Sequence, residues 1–308
     1  MRIPRRRLDA TLADSHGFPM SPIENLLRIL DLEQLDTNLW RGVSPDTSRY
    51  RVFGGQVIAQ SLVAAMRSVE GRPVHSLHGY FMLGGDPTRP ILYEVERIRD
   101  GRSFTTRRVR AIQNGESIFA MMASFHKVED GLHHAMAMPN VPLPEALPDE
   151  DEIRARFVPH LTEIRQRYWK SQRAIELRPA NPEAYFLRKP GAPYQNVWFR
   201  AASVLPDDDD LHRTILAYAS DMTLLDGAAV AHGRSVIDPE LQPASLDHAL
   251  WFHDGFRTDD WLLYAQDSPW SGAARGFGRG MIFTREGKLV ASVAQEGLMR
   301  LRRIASEP

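Results

Sequence analysis

One order of segments occurs twice in this chain, and such a duplication constrains the fold more tightly than any single motif. In the first half FGGQVIAQSLVAAM (53–66) is followed by HSLHGYFM (75–82) and DGRSFTTRRVRAIQNGESIFAMMASF (100–125). In the second, LAYASDMTLLDGA (216–228) is followed by ASLDHALWFH (244–253) and SPWSGAARGFGRGMIFTREGKLVASVAQEG (268–297). Laying YASD on FGGQ sets Asp221 opposite Gln56. Laying ASLD on HSLH sets Ser245 opposite Ser76, and Gln295 then falls opposite Ala123 or Ser124. A scaffold in which one copy carries the acid and the other an amide suggests one working site and one retired one.

The repeated segments have recognisable physical character. The stretch 54–68 is apolar or small on nearly every side, which for a helix means burial all round, and 211–229 behaves likewise. Around them lie β-prone runs bounded by glycine, proline or acidic turns, at 74–83, 91–99, 104–113 and 116–126, then 245–253, 261–267, 275–285 and 288–301. Gln113-Asn114-Gly115-Glu116 and Arg285-Glu286-Gly287-Lys288 are hairpin-turn signals. The expectation is one buried helix wrapped by a long antiparallel sheet, twice over, with the two sheets able to join edge to edge. Between them, proline, acid and arginine predict a solvated crossover with one short helix, its N-terminus marked by Asp149, Glu150, Asp151 and Glu152. The expected divisions are an N-terminal unit at 21–128, a crossover linker at 129–192 and a C-terminal unit at 193–308 carrying the working residues.

Composition removes several classes of function. The 308 residues carry a formal net charge of −1, so no global field draws the chain to nucleic acid or an anionic membrane. There is no cysteine, which excludes disulfides, thiolate catalysis and cysteine-based metal sites. No apolar run approaches the ~18 residues of a spanning helix, so membrane insertion is not expected. The basic start lacks an apolar core segment and reads as a tail, leaving the cytoplasm as the expected location. Asp207 to Asp210 reads as a solvated turn before a helix, and His133-His134 has no carboxylate at metal spacing. In Gly276-Phe277-Gly278-Arg279-Gly280 the glycines are followed by β-prone MIFT rather than a helix, so they mark a close neighbour rather than a dinucleotide loop. Asp247 and His248 are adjacent in a strand and point to opposite faces, which assigns them structural roles rather than a dyad.

The strings FGGQVIAQSL, YASDMTLL, ASLDHALWFH, WLLYAQDSPWSGAARGFGRG and LVASVAQEGLMR, in this order, resemble the type II acyl-CoA thioesterase family, the double-hotdog thioesterases. The resemblance covers nearly all of 25–302. It implies an α+β tandem hotdog and hydrolysis of acyl-CoA by a water oriented by an Asp, a hydroxyl residue and a Gln. Carried onto this chain, those are Asp221 in YASD, Ser245 in ASLDH and Gln295 in VAQEG. Ser245 stands where the family has threonine, keeping the hydroxyl and losing a methyl. Acyl-CoA is the implied partner, with no cofactor, no metal and no nucleic acid, and a homo-oligomer is left open. Arg275 and Arg279 are candidates for the coenzyme A phosphates, since a guanidinium suits phosphate, and Trp251 is a candidate for the substrate pocket. The alternative is a non-catalytic acyl-CoA-binding or scaffold protein on the same fold.

The chemistry stands without the family. A thioester needs a nucleophile, a place for charge on the carbonyl oxygen, and a leaving thiolate that barely needs protonation, so one base suffices. Asp221 sits among Ala219, Met222, Leu224 and Leu225, where an ionised carboxylate is costly unless hydrogen-bonded. Ser245 and Gln295 are able to supply those bonds. Placed at a helix start, as the match to Gln56 implies, Asp221 would have backbone N–H groups beside it for the oxyanion.

Overall fold

Alternation along each run writes the strands, as β5 illustrates: in FTTRRVRAIQ, Thr105, Arg107, Val109 and Ala111 are buried while Arg108 and Arg110 point out to Glu96 and Glu94. A computed structural model describes residues 20–45, 51–186 and 190–302. The first half runs α1 (Pro22–Leu30), β1 (Glu33–Asp36), β2 (Leu39–Gly42), α2 (Gly54–Met66), β3 (Val74–Phe81), β4 (Ile91–Asp100), β5 (Phe104–Gln113) and β6 (Glu116–His126). The connector adds α3 (Glu150–Arg156), α4 (Glu163–Lys170), β7 (Ile175–Pro179) and α5 (Pro182–Phe186). The second half runs β8 (Tyr194–Ala201), α6 (Asp209–Ser220), α7 (Asp226–Val230), β9 (Leu241–Ser245), β10 (Asp247–Phe252), β11 (Leu262–Gly272), β12 (Arg275–Thr284) and β13 (Leu289–Leu301).

These strands make one antiparallel sheet in the order β1-β2-β4-β5-β6-β3-β10-β13-β12-β11-β8-β7, with β9 also on β13. The halves meet at β3 and β10, which pair from Tyr80 opposite Asp247 to Ser76 opposite Trp251, so each covers the other's open edge. Helix α2 lies in the concavity with Val57, Ile58, Leu62 and Ala64 buried, and α6 packs along it. The expected hairpin between β5 and β6 is present: Asn114 and Gly115 have φ of 52° and 81°, the left-handed pair that a two-residue turn requires.

Three expectations change. The helix expected over 211–229 is two pieces, broken at 221–225. Asp221 ends α6 with φ −89° and ψ 0°, and the chain beyond it is pulled from the helical ladder by side chains. Gln195 donates to the Thr223 carbonyl at 2.7 Å and Gln266 to the Thr223 hydroxyl at 2.6 Å.

The connector is more than a solvated linker. The capping box at Asp149 and Glu152 opens α3 as the acidic run predicts, but Ile153 and Trp169 are buried and β7 joins the sheet beside β8. Met138 and Val141 pack with Trp198 and Phe283. Aromatics interleaved with arginine bury the rings and stack the guanidinium, with Arg173 lying 4.3 Å over Trp169.

The third change concerns which residues correspond. Superposing the Gly115 and Gly287 turns and counting along the last strand of each half sets Gln295 on Ala123. The cross-strand partners, Val74 with Phe125 and Ser245 with Gly297, then set Ser245 on Val74 rather than on Ser76. Each half carries one extra residue just after that point, an equivalent bulge that leaves this correspondence unchanged. The glycine run on β12 is a strand, as expected. A Cβ on Gly278 would lie 3.0 Å from the Leu224 carbonyl, and one on Gly280 would strike the Tyr264 ring.

Candidate active site

Asp221, Ser245 and Gln295 come from three separate elements and meet at one carboxylate oxygen. Gln295, inward-facing on β13, donates from Nε2 to Asp221 Oδ1 at 2.8 Å. Ser245, at the end of β9, donates from Oγ to the same oxygen at 3.1 Å, and Gln295 Nε2 lies 2.8 Å from Ser245 Oγ. The backbone N–H of Gly55 also donates to this carboxylate. Gly54 is close enough that a Cβ there would stand 2.5 Å from Asp221 Oδ2. The helix start beside the acid is therefore that of α2, in the other half of the chain. This corrects the expectation that Asp221 itself opens a helix.

Burial pushes the Asp221 carboxyl above the usual carboxylate range, and the neighbouring His248 ring together with the bonds from Gln295, Ser245 and Gly55 partly offsets that rise. Its neighbour His248 is pushed the other way, below the usual imidazole range, again by burial. His248 Nδ1 is 2.9 Å from Gln295 Oε1, and its Nε2 is 2.8 Å from Ser220 Oγ. Sequence reading puts Asp247 and His248 on opposite faces of a strand but does not bring His248 to Gln295, because the pairing of β10 with β13 is a long-range fact. Asp247 points away from His248, as expected, and accepts from the Glu296 N–H at 2.7 Å.

The carboxylate lines a cleft of about 730 Å³. Its walls are Val57, Phe81, Phe119, Met222 and Leu225, with Tyr168 of the connector helix α4 across from them. Arg51, Arg165 and Asp226 also line it, and a hollow of apolar walls with a few polar groups suits a chain ending in a reactive carbonyl. Arg275, Arg279 and Trp251 are not brought to it. On β12 the glycines face α7, so Arg275 and Arg279 project from the opposite face of the sheet. There Arg279 makes a paired contact with Asp267 at 2.9 and 2.8 Å, and Arg275 lies 3.3 Å from Glu296. Trp251 alternates with inward His248 and Leu250 and packs edge-on against His78 at 4.9 Å. Among the described residues no group of His, Asp or Glu is arranged to hold a metal, and no described helix is long and apolar enough to cross a membrane.

Comparison with known proteins adds the family. Residues 169–298 match the acyl-CoA thioesterase family model, and residues 43–126 match that of the acyl-CoA thioesterase N-terminal domain. Acyl-coenzyme A thioesterase 8 of Mus musculus is 41% identical over 97% of this chain and 95% of its own length. The crystal structure of an acyl-CoA thioesterase II from Mycobacterium marinum is 46% identical, covers 90% of this chain and 99% of that one, and superposes with a TM-score of 0.75. A conserved protein with a hot dog fold from Alicyclobacillus acidocaldarius is 20% identical and shares the fold, with a TM-score of 0.72 over 90% of this chain and 98% of its own. Tandem hotdog architecture and near full-length identity together establish that the chain belongs to the acyl-CoA thioesterase family.

Proposed function

We propose that this chain hydrolyses fatty acyl-CoA thioesters to free fatty acid and coenzyme A, with Asp221 as the base toward a water that Ser245 and Gln295 help to hold. The observation that carries the reading is the convergence of both side chains on Asp221 Oδ1 at the side of an apolar cleft. Gln295 is left with no proton-transfer role, since an amide neither gives nor takes a proton at neutral pH. Ser245 spends its hydroxyl proton on Asp221 and keeps lone-pair capacity for a water. Asp221 alone is a base.

In the reaction the water oxygen forms a bond to the thioester carbonyl carbon while its proton passes to Asp221. The tetrahedral intermediate then collapses, the C–S bond breaks, and coenzyme A leaves as a thiolate that takes a proton from Asp221 or solvent. Charge on the carbonyl oxygen has a natural receiver at the start of α2, where the positive end of the helix dipole faces the carboxylate's surroundings. Proton abstraction by a positioned base contributes roughly 10²–10⁴ in rate. A non-catalytic acyl-CoA-binding protein would have no use for a carboxylate whose ionisation is opposed by burial and sustained by three donors.

Thiol release measured with a chromogenic disulfide, across a chain-length series of acyl-CoA substrates, tests this reading. Thiol should appear in amounts matching the free acid. Saturable binding of acyl-CoA with no thiol above the spontaneous rate would replace it with the binding-protein alternative.

A further inference from the structure

Gln295 has a two-fold ambiguity that its role does not tolerate. Rotating its amide by half a turn would put Oε1 where Nε2 is, 2.8 Å from Asp221 Oδ1, and set two acceptors against each other. The group on the far side decides between the two. His248 is fully buried, and its Nδ1 lies 2.9 Å from Gln295 Oε1, which only accepts, so Nδ1 must carry the proton. Nε2 of the neutral ring is then an acceptor and needs a donor, which is the Ser220 hydroxyl at 2.8 Å. Ser220 is fully buried, and its hydroxyl has one alternative acceptor, the Ala217 carbonyl at 2.9 Å. Since Ser220 and Asp221 are consecutive at the end of α6, the contacts close a ring from Ser220 through His248 and Gln295 to Asp221.

We propose that His248, held in its Nδ1–H form by Ser220, is a positioning residue for hydrolysis, fixing the Gln295 amide so that its NH2 faces Asp221 and Ser245. The inference rests on the water-orienting reading above. Neither His248 nor Ser220 touches the reacting atoms. Without the imidazole, Oε1 loses its buried donor and the amide is held from the Asp221 and Ser245 side alone. An amide anchored at one end is free to tilt, which moves Nε2 and the water site out of place.

The test is a double-mutant cycle on the full chain. His248→Leu should lower kcat by roughly 10–100-fold, the span for losing a buried hydrogen-bond partner, with little change in KM. His248→Asn, whose amide NH2 occupies the Nδ1 position, should recover most of that loss although it is smaller. In a Gln295→Ala background His248→Leu should have no further effect, because there is no amide left to orient. Should His248→Leu fail to fold, Ser220→Ala replaces it in the cycle. Loss of the Ser220 donor frees the ring to shift its proton to Nε2, and kcat should fall roughly 2–10-fold in the parent and not in Gln295→Ala. Equal losses in both backgrounds, no loss at all, or failure of Asn to do better than Leu would overturn the proposal. Asp221→Asn assayed alongside keeps the two readings apart: parental turnover there removes Asp221 as the base, whereas the His248–Gln295 coupling is read from the cycle itself.

Discussion

The Asp221 carboxylate, which lies in the second half of the chain, accepts the backbone N–H of Gly55 in the first turn of the first half's helix. The half without the acid thus forms one wall of the half that has it. A site so placed depends on how the two helices pack, and small changes in α2 should register in the chemistry before they register in stability.

Asp221→Asn is the most exposed expectation. An amide cannot take the proton from water, so kcat should fall by roughly 10²–10⁴ with folding and substrate affinity retained. The pH dependence carries the same information. The ionised carboxylate is the active form, and burial holds its protonation above the usual carboxylate range, so kcat/KM should drop as pH falls through that raised value. His248, pushed below the usual imidazole range, should contribute no limb near neutrality. Steady-state hydrolysis of a medium-chain acyl-CoA across pH checks both, and an Asp221→Asn enzyme within a few-fold of the parent ends the mechanism.

Gly54→Ala separates geometry from stability. The new methyl would stand 2.5 Å from Asp221 Oδ2 and 3.0 Å from Phe81 Cζ, and the atom able to give way is the carboxylate. Displacing a base by ~1 Å costs about 10² in rate. The melting temperature should fall only modestly, because alanine loses less backbone entropy than glycine on folding and this offsets part of the strain. A large fall in melting temperature with kcat per folded molecule unchanged would contradict this.

Gln56→Ala should do the reverse. Gln56 is buried, donating to Ser44 Oγ at 2.9 Å and contacting Gln60, so its loss leaves buried groups unpaired and should cost roughly 1–3 kcal/mol. Turnover of the folded fraction should stay within a few-fold. Denaturant titration paired with kinetics reads the two effects separately, and an intact fold with activity as low as Asp221→Asn would refute a single working site.

Arg279→Ala should be nearly silent toward substrate. Its guanidinium is engaged by Asp267 on the sheet face away from the cleft, an exposed pair of a kind that contributes about 1 kcal/mol or less. KM should be the same within about two-fold for acyl-CoA and for a short thioester lacking the nucleotide. A rise confined to acyl-CoA would make Arg279 a phosphate contact after all.

The legible parts of this molecule were those written locally. Alternation and turn residues announce β3 to β6 and β10 to β13, and the Asp149 run announces α3. Asp221, Ser245 and Gln295 are legible because their strings carry the family resemblance. What was not legible depends on pairing across long sequence separations. The alike strings HSLH and ASLD sit two residues out of register in the sheets, so the counterpart of Ser245 is Val74 rather than Ser76, and only the cross-strand pairing shows it. The break at 221–225 depends on Gln195 and Gln266 reaching Thr223, and the use of His248 depends on β10 lying beside β13. β7 alternates through Ile175, Glu176, Leu177 and Arg178 but is only 5 residues long and ends in Pro179, so it does not stand out from an arginine-rich connector.

The pairing of β3 with β10 has a consequence for symmetry. Two identical subunits joined by such a seam must carry every change twice, once on each side of the axis, and their association weakens on dilution. Here the seam closes within one chain, so it forms at a fixed effective concentration, and each side is free to change alone. That freedom lets Ser245 stand on one side with Val74 on the other, and Gln295 with Ala123, while the shared wall between them is kept intact.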